Sequence, residues 1–264
     1  MNDGASVLIV RKLLMTLTIR QFACLSDNYG FVIRDEASGL TACIDTPDAD
    51  AVMAELTAAG WGLDFIFNTH WHPDHAGGNA QIKAATGATI VGPAEVTRIA
   101  PLDRTVAGGD VVELGQTRFD VLDTGGHTLG HIAYVDRVGG AAFVGDTLFA
   151  LGCGRLFEGT PLQMWTSLQR LAALPDDTRV YCAHEYTAAN ARFALSVDAD
   201  PAVTARALAV FAARARGEAT VPTTIGQEKA TNPFLRAPHI GGAPGRTDDQ
   251  AFAAIRAAKD VFAG

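Results

Sequence analysis

Apolar residues occur in short runs along the first part of the chain, and turn-forming residues separate these runs. Three runs, at residues 17–24, 29–34 and 40–44, are rich in β-forming residues, with Ser-Asp-Asn and Ala-Ser-Gly between them. Each run predicts a short strand bounded by turns. The pattern becomes helical over residues 49–59, and Gly60 marks the expected end of that helix.

Strand and helix patterns then alternate as far as residue 183. The compact apolar run at 63–68 predicts a buried strand, and residues 79–86 predict a helix ended by a glycine. Thr160 followed by Pro161 predicts the start of a helix that ends near residue 174. Further strands are predicted at 88–91, 111–114, 118–122, 132–135, 141–145 and 179–183. This order of elements favours two sheets flanked by helices, a layered α/β architecture.

The composition changes after Tyr186. Residues 187–217 are rich in Ala and Arg with a helical pattern, and residues 218–246, which contain four prolines, predict mostly loop. A last helix is predicted from Thr247, where the Thr-Asp-Asp-Gln spacing matches a capping box. We therefore predict three segments: an N-terminal extension at 1–14, a catalytic domain at 15–186 and a helical C-terminal domain at 187–264.

The composition narrows the class of protein. The chain has 264 residues, of which 48% are hydrophobic, and its formal net charge is −8. A negative charge argues against nucleic acid as a partner. No apolar run approaches the roughly 18 residues that a bilayer span needs. The four cysteines are scattered with no C-x-x-C pair, which suits a reducing compartment. We expect a cytoplasmic monomer with neither membrane nor nucleic-acid partners.

The most informative stretch is 68–75, Asn-Thr-His-Trp-His-Pro-Asp-His, at the end of a predicted buried strand. Three of the seven histidines fall within six positions there, and imidazole is the commonest transition-metal ligand at neutral pH. His70 and His72 are two positions apart, so in an extended chain they point the same way and can bind one ion. Asp74 and His75 follow a proline that turns the chain, and they can serve a second ion. The alternative is a polar turn with fortuitous histidines.

Three further ligand candidates follow other predicted strands. His127 lies in a glycine-rich turn, Asp146 follows an apolar strand, and His184 follows another strand. Each residue alone could be a turn or capping residue. Metal and catalytic residues are typically mounted on such loops, so the shared placement favours one common site.

These motifs resemble those of the metallo-β-lactamase superfamily, through Thr-His-Trp-His-Pro-Asp-His-Ala-Gly-Gly, Gly-Gly-His-Thr, Gly-Asp-Thr and Ala-His-Glu-Tyr. Within it the chain is most similar to the hydroxyacylglutathione hydrolases, also called the glyoxalase II family, through residues 151–160, 184–187 and 232–236. The resemblance runs from about residue 16 to the C-terminus. It implies a four-layer αββα sandwich with a smaller helical C-terminal domain.

The resemblance also implies two metal ions. One would be bound by His70, His72 and His127, the other by Asp74, His75 and His184, with Asp146 bridging. Two divalent ions and two carboxylates leave a charge of about +2 around a bound water, which should ionise near neutral pH. A bridging hydroxide would then be the nucleophile, with Asp74 and Asp146 as the catalytic carboxylates. We expect zinc, and this donor set also accepts iron or manganese.

The last predicted helix carries two cations, Arg256 and Lys259, on or beside its apolar face. They either extend their charged ends to solvent or point inward to an anionic ligand. The resemblance favours the second, because the family uses a basic pair at this place to bind the glycine carboxylate of glutathione. It also implies glutathione contacts from Arg155, Phe157 and Tyr186. Phe157 stands where several members carry a tyrosine, so one hydroxyl hydrogen bond is lost.

The predicted activity is hydrolysis of S-D-lactoylglutathione, an S-2-hydroxyacylglutathione, to D-lactate and glutathione. This reaction is the second step of methylglyoxal detoxification. No strong general acid is evident besides the ligands, apart from help by Tyr186, but a thiolate leaves readily without one. Three alternatives stay open: a glutathione persulfide dioxygenase using one iron and O₂, another superfamily hydrolase such as a lactonase or β-lactamase, and a non-enzymatic metal-stabilised scaffold. The resemblance to the dioxygenases is weaker at one motif, because they have His-Asp-Tyr where this chain has His184-Glu185-Tyr186.

Overall fold

The fold is described by a computed structural model over residues 17–263. The extension predicted at residues 1–14 lies outside the described residues. The chain divides into two compact units. Within the described residues, the first unit comprises 17–123 and 132–141, and the second comprises 124–131 and 142–263.

The first unit contains a six-stranded sheet with its strands in chain order. Its first three strands pair antiparallel, and the third to sixth pair parallel. In the parallel part, Cys43 is in register with Ile66 and Ile66 with Ile90, and all three are buried. The carboxyl ends of these parallel strands therefore lie at one edge of the sheet. The strands are β1 (Leu17–Cys24), β2 (Asn28–Asp35), β3 (Thr41–Ile44), β4 (Phe65–Phe67), β5 (Thr89–Gly92) and β6 (Arg104–Thr105).

Among the described residues, the remaining elements of this unit are three antiparallel strands and four short helices. The strands are β7 (Val111–Leu114), β8 (Thr117–Asp123) and β9 (Ile132–Asp136), paired in that order. The helices are α1 (Ala49–Ala59), α2 (Pro73–Ala76), α3 (Asn79–Thr86) and a 3-10 helix (Ala94–Arg98). The side chain of Asp48 caps α1, and Gly60 ends it in the left-handed conformation with a φ of 68°. Val52 and Ile82, from α1 and α3, pack with Ile66 in one core cluster.

The second unit combines short strands with six helices among its described residues. The strands are β10 (Ala141–Gly145, in this unit from residue 142), β11 (Leu148–Phe149), β12 (Gly152–Cys153), β13 (Arg179–Cys182) and β14 (Thr223–Thr224). The helices are α4 (Pro161–Ala172), α5 (Thr187–Val197), α6 (Pro201–Ala215), α7 (Ile225–Thr231), α8 (Ala237–Gly241) and α9 (Asp248–Asp260). Strands β11 and β12 form an antiparallel hairpin, and β13 pairs antiparallel with β14.

The sequence predicts where the longer helices of this unit begin. The side chain of Thr160 accepts a hydrogen bond from the backbone of Gln163 at the start of α4, and Pro161 is the first helical residue. At α9 the backbone N–H of Thr247 donates to Oε1 of Gln250 at 3.1 Å. Helix α9 packs against α4 and α8, and α5 packs against α6. Capping residues and proline positions thus predicted the starts of these helices correctly.

The prediction of mostly loop over residues 218–246 is wrong in part, because β14, α7 and α8 lie there. Thr224 caps α7 by accepting from the backbone of Gln227, and Pro238 stands in the first turn of α8. A proline in a first turn loses no helical hydrogen bond, so it starts a helix here instead of interrupting one. Within residues 17–263, no helix combines the length and hydrophobicity that a membrane span requires.

Candidate metal centre and substrate cleft

The histidine motif of the first unit leaves the carboxyl end of β4. His70 and His75 are buried, whereas His72 and Asp74 are half-buried. Nε2 of His70 lies 3.1 Å from Nδ1 of His72, and Nε2 of His75 lies 3.6 Å from Oδ2 of Asp74. The ring centroids of His70 and His75 are 4.0 Å apart. The four ligands that the sequence predicts in this unit are therefore brought together.

Asp45 fixes the orientation of the buried histidines. Its Oδ2 accepts hydrogen bonds from Nδ1 of His75 and from the hydroxyl of Thr69, both at 2.8 Å. Because Nδ1 donates, a neutral His75 carries its lone pair on Nε2. Because the Thr69 hydroxyl donates its hydrogen bond to Asp45, its oxygen accepts one from Nδ1 of His70 at 3.0 Å. His70 therefore also presents a lone pair at Nε2, the form in which histidine binds a metal.

Sequence reasoning did not single out Asp45. The available signal was its position immediately after β3, because parallel neighbours such as β3 and β4 end at the same sheet edge. The backbone of Asp45 has a φ of 57°, a left-handed conformation that aspartate tolerates better than most residues.

A buried amide pair supports the backbone of the same motif. Nδ2 of Asn68 donates to the carbonyl of His75 at 2.9 Å, and Nδ2 of Asn79 donates to Oδ1 of Asn68 at 2.7 Å. The hydroxyl of Thr46 donates to Oδ1 of Asn79 at 2.8 Å. These hydrogen bonds connect the two ends of the loop at residues 68–75. The predicted ligands therefore lie on a loop whose buried polar groups are hydrogen-bonded.

In the second unit, Asp146 lies between two imidazoles. Its Oδ2 is 3.3 Å from Nε2 of His127, and its Oδ1 is 3.4 Å from Nε2 of His184. Nδ1 of His127 donates to the carbonyl of Arg155 at 2.8 Å, which leaves the lone pair of the neutral ring on Nε2. The three ligands that the sequence predicts in this unit therefore form a second group, with the carboxylate at its centre.

His131 supports this group through a hydrogen bond to the backbone of Asp146 and is not one of the predicted metal ligands. The backbone N–H of Asp146 donates to Nε2 of His131 at 3.1 Å. Nδ1 of His131 then carries the proton, within 2.9 Å of the Thr124 hydroxyl. The ring is 1% exposed, so it supports the backbone of this loop from inside the protein.

The donor atoms fit divalent metal ions. Two ligand atoms bound tetrahedrally at about 2.1 Å from one ion lie about 3.4 Å apart. The separations of His127 and His184 from the two oxygens of Asp146 match this value. A neutral imidazole lone pair facing a carboxylate oxygen at this distance is repulsive unless a cation lies between them. Imidazole and carboxylate donors in both units suit zinc, iron or manganese.

All five predicted substrate contacts line a cleft of about 420 Å³ in the second unit. Two predicted metal ligands, His127 and Asp146, line the same cleft. The five predicted contacts are Arg155, Phe157, Tyr186, Arg256 and Lys259. Ligand-type side chains and cations are thus found in one cavity, as a site for an anionic substrate near a metal requires.

Arg256 is held inside the protein, with its side chain only 8% exposed. Nη1 donates to the carbonyl of Cys153 at 3.1 Å, and Nη2 donates to Oδ1 of Asp260 at 2.9 Å. Within residues 17–263 its buried Nε has no hydrogen-bond partner. The alternative of a solvated charged end therefore does not describe Arg256. Burial raises the pKa of the adjacent Cys153 thiol to about 11, although the guanidinium opposes that shift.

Lys259 is half-buried beside two aromatic rings. Its Nζ donates to the carbonyl of Ala189 at 3.3 Å and lies 5.3 Å from the ring centre of Phe193. Burial lowers the pKa of Lys259, and the positive charges of Arg256 and Arg192 lower it further. Crowding of positive charge in a partly desolvated place is expected of a site that receives an anion.

The two aromatic residues among the predicted substrate contacts lie against predicted ligand histidines. Tyr186 stacks on His184, with centroids 4.7 Å apart and an interplanar angle of 3°. Phe157 is 61% exposed and meets His127 edge-on at 5.2 Å. Arg155 is exposed, and its Nε lies 3.6 Å from Oδ1 of the same aspartate that holds Arg256. That aspartate was not among the predicted residues.

Comparison with known proteins gives two family matches that together span most of the chain. Residues 44–184 match the model of the metallo-β-lactamase superfamily. Residues 185–262 match the model described as the hydroxyacylglutathione hydrolase C-terminus.

Individual relatives agree with these matches. The hydroxyacylglutathione hydrolase of Maricaulis maris is 58% identical over 257 residues, covering 93% of this chain and 99% of the relative. That of Erythrobacter litoralis is 53% identical, covering 93% of this chain and all of the relative. The crystal structure of ETHE1 from Myxococcus xanthus superposes with a TM-score of 0.67 at 29% identity, covering 90% of this chain and 89% of that chain. Motifs, fold and relatives agree: the chain belongs to the hydroxyacylglutathione hydrolase family, which is part of the metallo-β-lactamase superfamily.

Proposed function

We propose that this protein hydrolyses S-D-lactoylglutathione, and related S-2-hydroxyacylglutathiones, to the hydroxy acid and glutathione. The observation that carries the proposal is the cleft of the second unit, which contains His127 and Asp146 together with Arg155, Arg256 and Lys259. Side chains that can hold a metal ion, together with three cations in one cavity, suit a glutathione thioester as the substrate. The hydrolase names of the relatives support the same substrate class.

The proposed metal site uses the seven predicted ligands. His70, His72 and His127 would hold one divalent ion, Asp74, His75 and His184 would hold the other, and Asp146 would be shared by both. The lone-pair orientations set by Asp45, Thr69 and the Arg155 carbonyl support these assignments. When bound, such ions lower the pKa of a water molecule and polarise the acyl oxygen of a substrate.

The residues of the chain then act by orientation. Asp146 directs one carboxylate oxygen toward His127 and the other toward His184. It thereby fixes the spacing between these two imidazoles. Tyr186, stacked on His184, limits the movement of that imidazole and excludes water from its face. We infer that this preorganisation keeps the reacting groups in place, so little reorganisation is needed in the transition state.

Recognition of the thiol part would come from the three cations. Arg256 and Lys259 line the cleft as two neighbouring positive charges, so a carboxylate of glutathione is a fitting ligand for them. Arg155 is more exposed and would contact the peptide from the open side of the cleft. Phe157 would provide an apolar surface for the same peptide.

A thioester suits a site with this set of residues. In the reaction a bond forms between the water oxygen and the acyl carbon, and the carbon–sulfur bond breaks with its electron pair on sulfur. A free cysteine-type thiol has a pKa of about 8.5, so the thiolate leaves without prior protonation. The proposed reaction therefore requires no dedicated general acid from the chain.

The experiment that tests the proposal supplies two substrates to the same metal-loaded preparation. Thiol release from S-D-lactoylglutathione is followed in one assay and oxygen uptake with glutathione persulfide in the other. The proposal predicts thiol release without oxygen consumption. Oxygen uptake in the second assay, with no thiol release in the first, would make the protein a persulfide dioxygenase.

We further propose zinc as the metal, a monomeric state, a cytoplasmic location and a domain boundary near residue 186. Elemental analysis of the purified protein tests the metal, and light scattering during size-exclusion chromatography tests the monomer. Cell fractionation tests the location, and limited proteolysis tests the boundary. About two equivalents of zinc per chain are expected if both ligand groups are filled.

A further inference from the structure

The motif Asn232-Pro233-Phe234-Leu235-Arg236 has no role in the proposed reaction, yet its first residue is fully buried. Nδ2 of Asn232 donates to the carbonyls of Phe149 and Gly152, at 3.1 and 2.9 Å. The same nitrogen lies 2.9 Å from Oε2 of Glu228. A single amide therefore holds both ends of the turn between β11 and β12.

Glu228 holds the middle of this turn. Its side chain is fully buried, and Oε2 accepts a hydrogen bond from the backbone N–H of Leu151 at 2.9 Å. Leu151 has a φ of 57°, a left-handed conformation that is strained for a leucine. The carbonyl of Ala150 accepts from Nδ2 of Asn190 at 3.1 Å. Side chains from three places in the second unit thus impose a backbone shape that Leu151 would not adopt by itself.

The charge of Glu228 is compensated inside the same cluster. Arg206 forms an ion pair with Oε1 of Glu228, and the hydroxyl of Thr223 donates to that oxygen at 2.6 Å. A buried carboxylate is tolerable only when it is paired and hydrogen-bonded in this way. The cluster is therefore a rigid support, with each oxygen of Glu228 assigned to a different task.

The turn that this cluster holds belongs to the wall of the cleft. Phe149 meets Tyr186 edge-on at 5.4 Å and His184 at 5.9 Å. At the other end of the hairpin, the carbonyl of Cys153 accepts from Nη1 of Arg256 at 3.1 Å. A shift of the turn would therefore move the anchor of the cation proposed to bind the glutathione carboxylate.

We propose that Glu228 and Asn232 are positioning residues for thiol recognition, acting through the strained turn on Arg256. This inference rests on the proposed function, because it assigns the two residues to glutathione binding. Neither residue touches the substrate. Their removal should therefore weaken binding of the glutathione part and leave the reaction of a bound thioester nearly unchanged.

The test compares two thioesters in the variants Glu228→Gln and Asn232→Asp. One substrate is S-D-lactoylglutathione, and the other is the D-lactoyl thioester of N-acetylcysteamine, which lacks the glutathione carboxylates. In both variants we expect KM for the glutathione thioester to rise about tenfold with kcat within about twofold. For the truncated thioester we expect kcat/KM to stay within about twofold of wild type. An equal loss on both substrates would overturn the inference, because it would indicate general damage to the site.

Two controls separate positioning from misfolding. Glu218→Gln makes the same chemical change in an exposed arginine–glutamate pair, with Arg216, and should leave both substrates unaffected. Amide hydrogen exchange at Leu151 provides a readout that needs no substrate, and its protection should fall in Glu228→Gln while global unfolding protection persists. Unchanged exchange at Leu151 would contradict the inference.

A double variant completes the test. Arg256→Ala combined with Glu228→Gln should bind the glutathione thioester no more weakly than Arg256→Ala alone, because both changes act on one contact. Additive losses would overturn the inference. A wild-type protein inactive on S-D-lactoylglutathione would instead refute the proposed function itself, so the two failures are distinguishable.

Discussion

Asp45 accepts a hydrogen bond at 2.8 Å from Nδ1 of His75, although the two residues are 30 positions apart in the chain. Asp45 follows β3 and His75 lies in the motif after β4, so the parallel pairing of these strands brings them together. The contact leaves Nε2 of His75 as the donor atom for a metal. A residue that touches no substrate therefore decides how a proposed ligand is presented.

Replacement of Asp45 by asparagine should weaken metal binding by about 10–100-fold, because the hydrogen bond that orients His75 loses its charge. Asparagine tolerates the left-handed backbone, so the change isolates the carboxylate. Metal content after dialysis against a weak chelator provides the measurement. Asp48→Asn, at the nearby cap of α1, is the matched control and should retain full metal. Equal metal retention in both variants would refute the role of Asp45.

Replacement of Arg256 by alanine should raise KM for S-D-lactoylglutathione by about 10–100-fold with little change in kcat, and Lys259→Ala should act in the same direction. Both cations are proposed to grip a carboxylate remote from the reacting bond. Steady-state kinetics at saturating metal provides the measurement. Lys229→Ala, which breaks a surface ion pair with Asp176, should leave both constants unchanged. A loss confined to kcat would count against substrate binding by this pair.

Substrate affinity should fall at alkaline pH. Burial and the charges of Arg256 and Arg192 lower the pKa of Lys259, so it loses its proton at lower pH than an ordinary lysine. As pH rises through that lowered pKa, one positive charge is lost and KM should increase. Arginine keeps its proton throughout this range, so Lys259→Arg should flatten the alkaline limb of the KM profile. An identical limb in the variant would show that another group titrates.

Phe157→Tyr should lower KM by about 2–10-fold, because a new hydroxyl can donate one hydrogen bond to the glutathione peptide. The side chain is 61% exposed, so the added oxygen meets no packing constraint. Kinetics with S-D-lactoylglutathione and with the truncated thioester check the effect. A similar gain on both substrates would argue against a contact with the glutathione part.

The sequence predicted much of the fold because caps, glycines and proline positions mark the boundaries locally. Helix α1 and strand β10 have the predicted bounds. Helices α7 and α8 were not predicted, because their stability depends on tertiary contacts such as the buried side chain of Glu228. A local sequence pattern does not indicate which residue, dozens of positions away, will contact a segment in the folded protein.

The same distinction applies to the site. His70 and His72 were singled out because they are two positions apart in a histidine-rich motif, whereas Asp45 and Asp260 are single carboxylates in ordinary surroundings. Asp45 becomes significant only once strand pairing places it at His75. Asp260 becomes significant only once its Oδ1 is seen to hold Arg256 and to lie near Arg155. Candidate ligand residues can therefore be predicted from sequence motifs, whereas the residues that orient those ligands are mostly identified only from the three-dimensional structure.

The most direct test of the central claim is thiol release from S-D-lactoylglutathione by the metal-loaded protein, with Asp146→Asn assayed beside it. The cysteines of the chain are buried, so the native protein contributes little thiol signal of its own. We predict release of one thiol per D-lactate formed, and a loss of at least about a thousandfold in kcat/KM together with metal in Asp146→Asn. Thiol release no faster than in a chelator-treated control would contradict the proposed function.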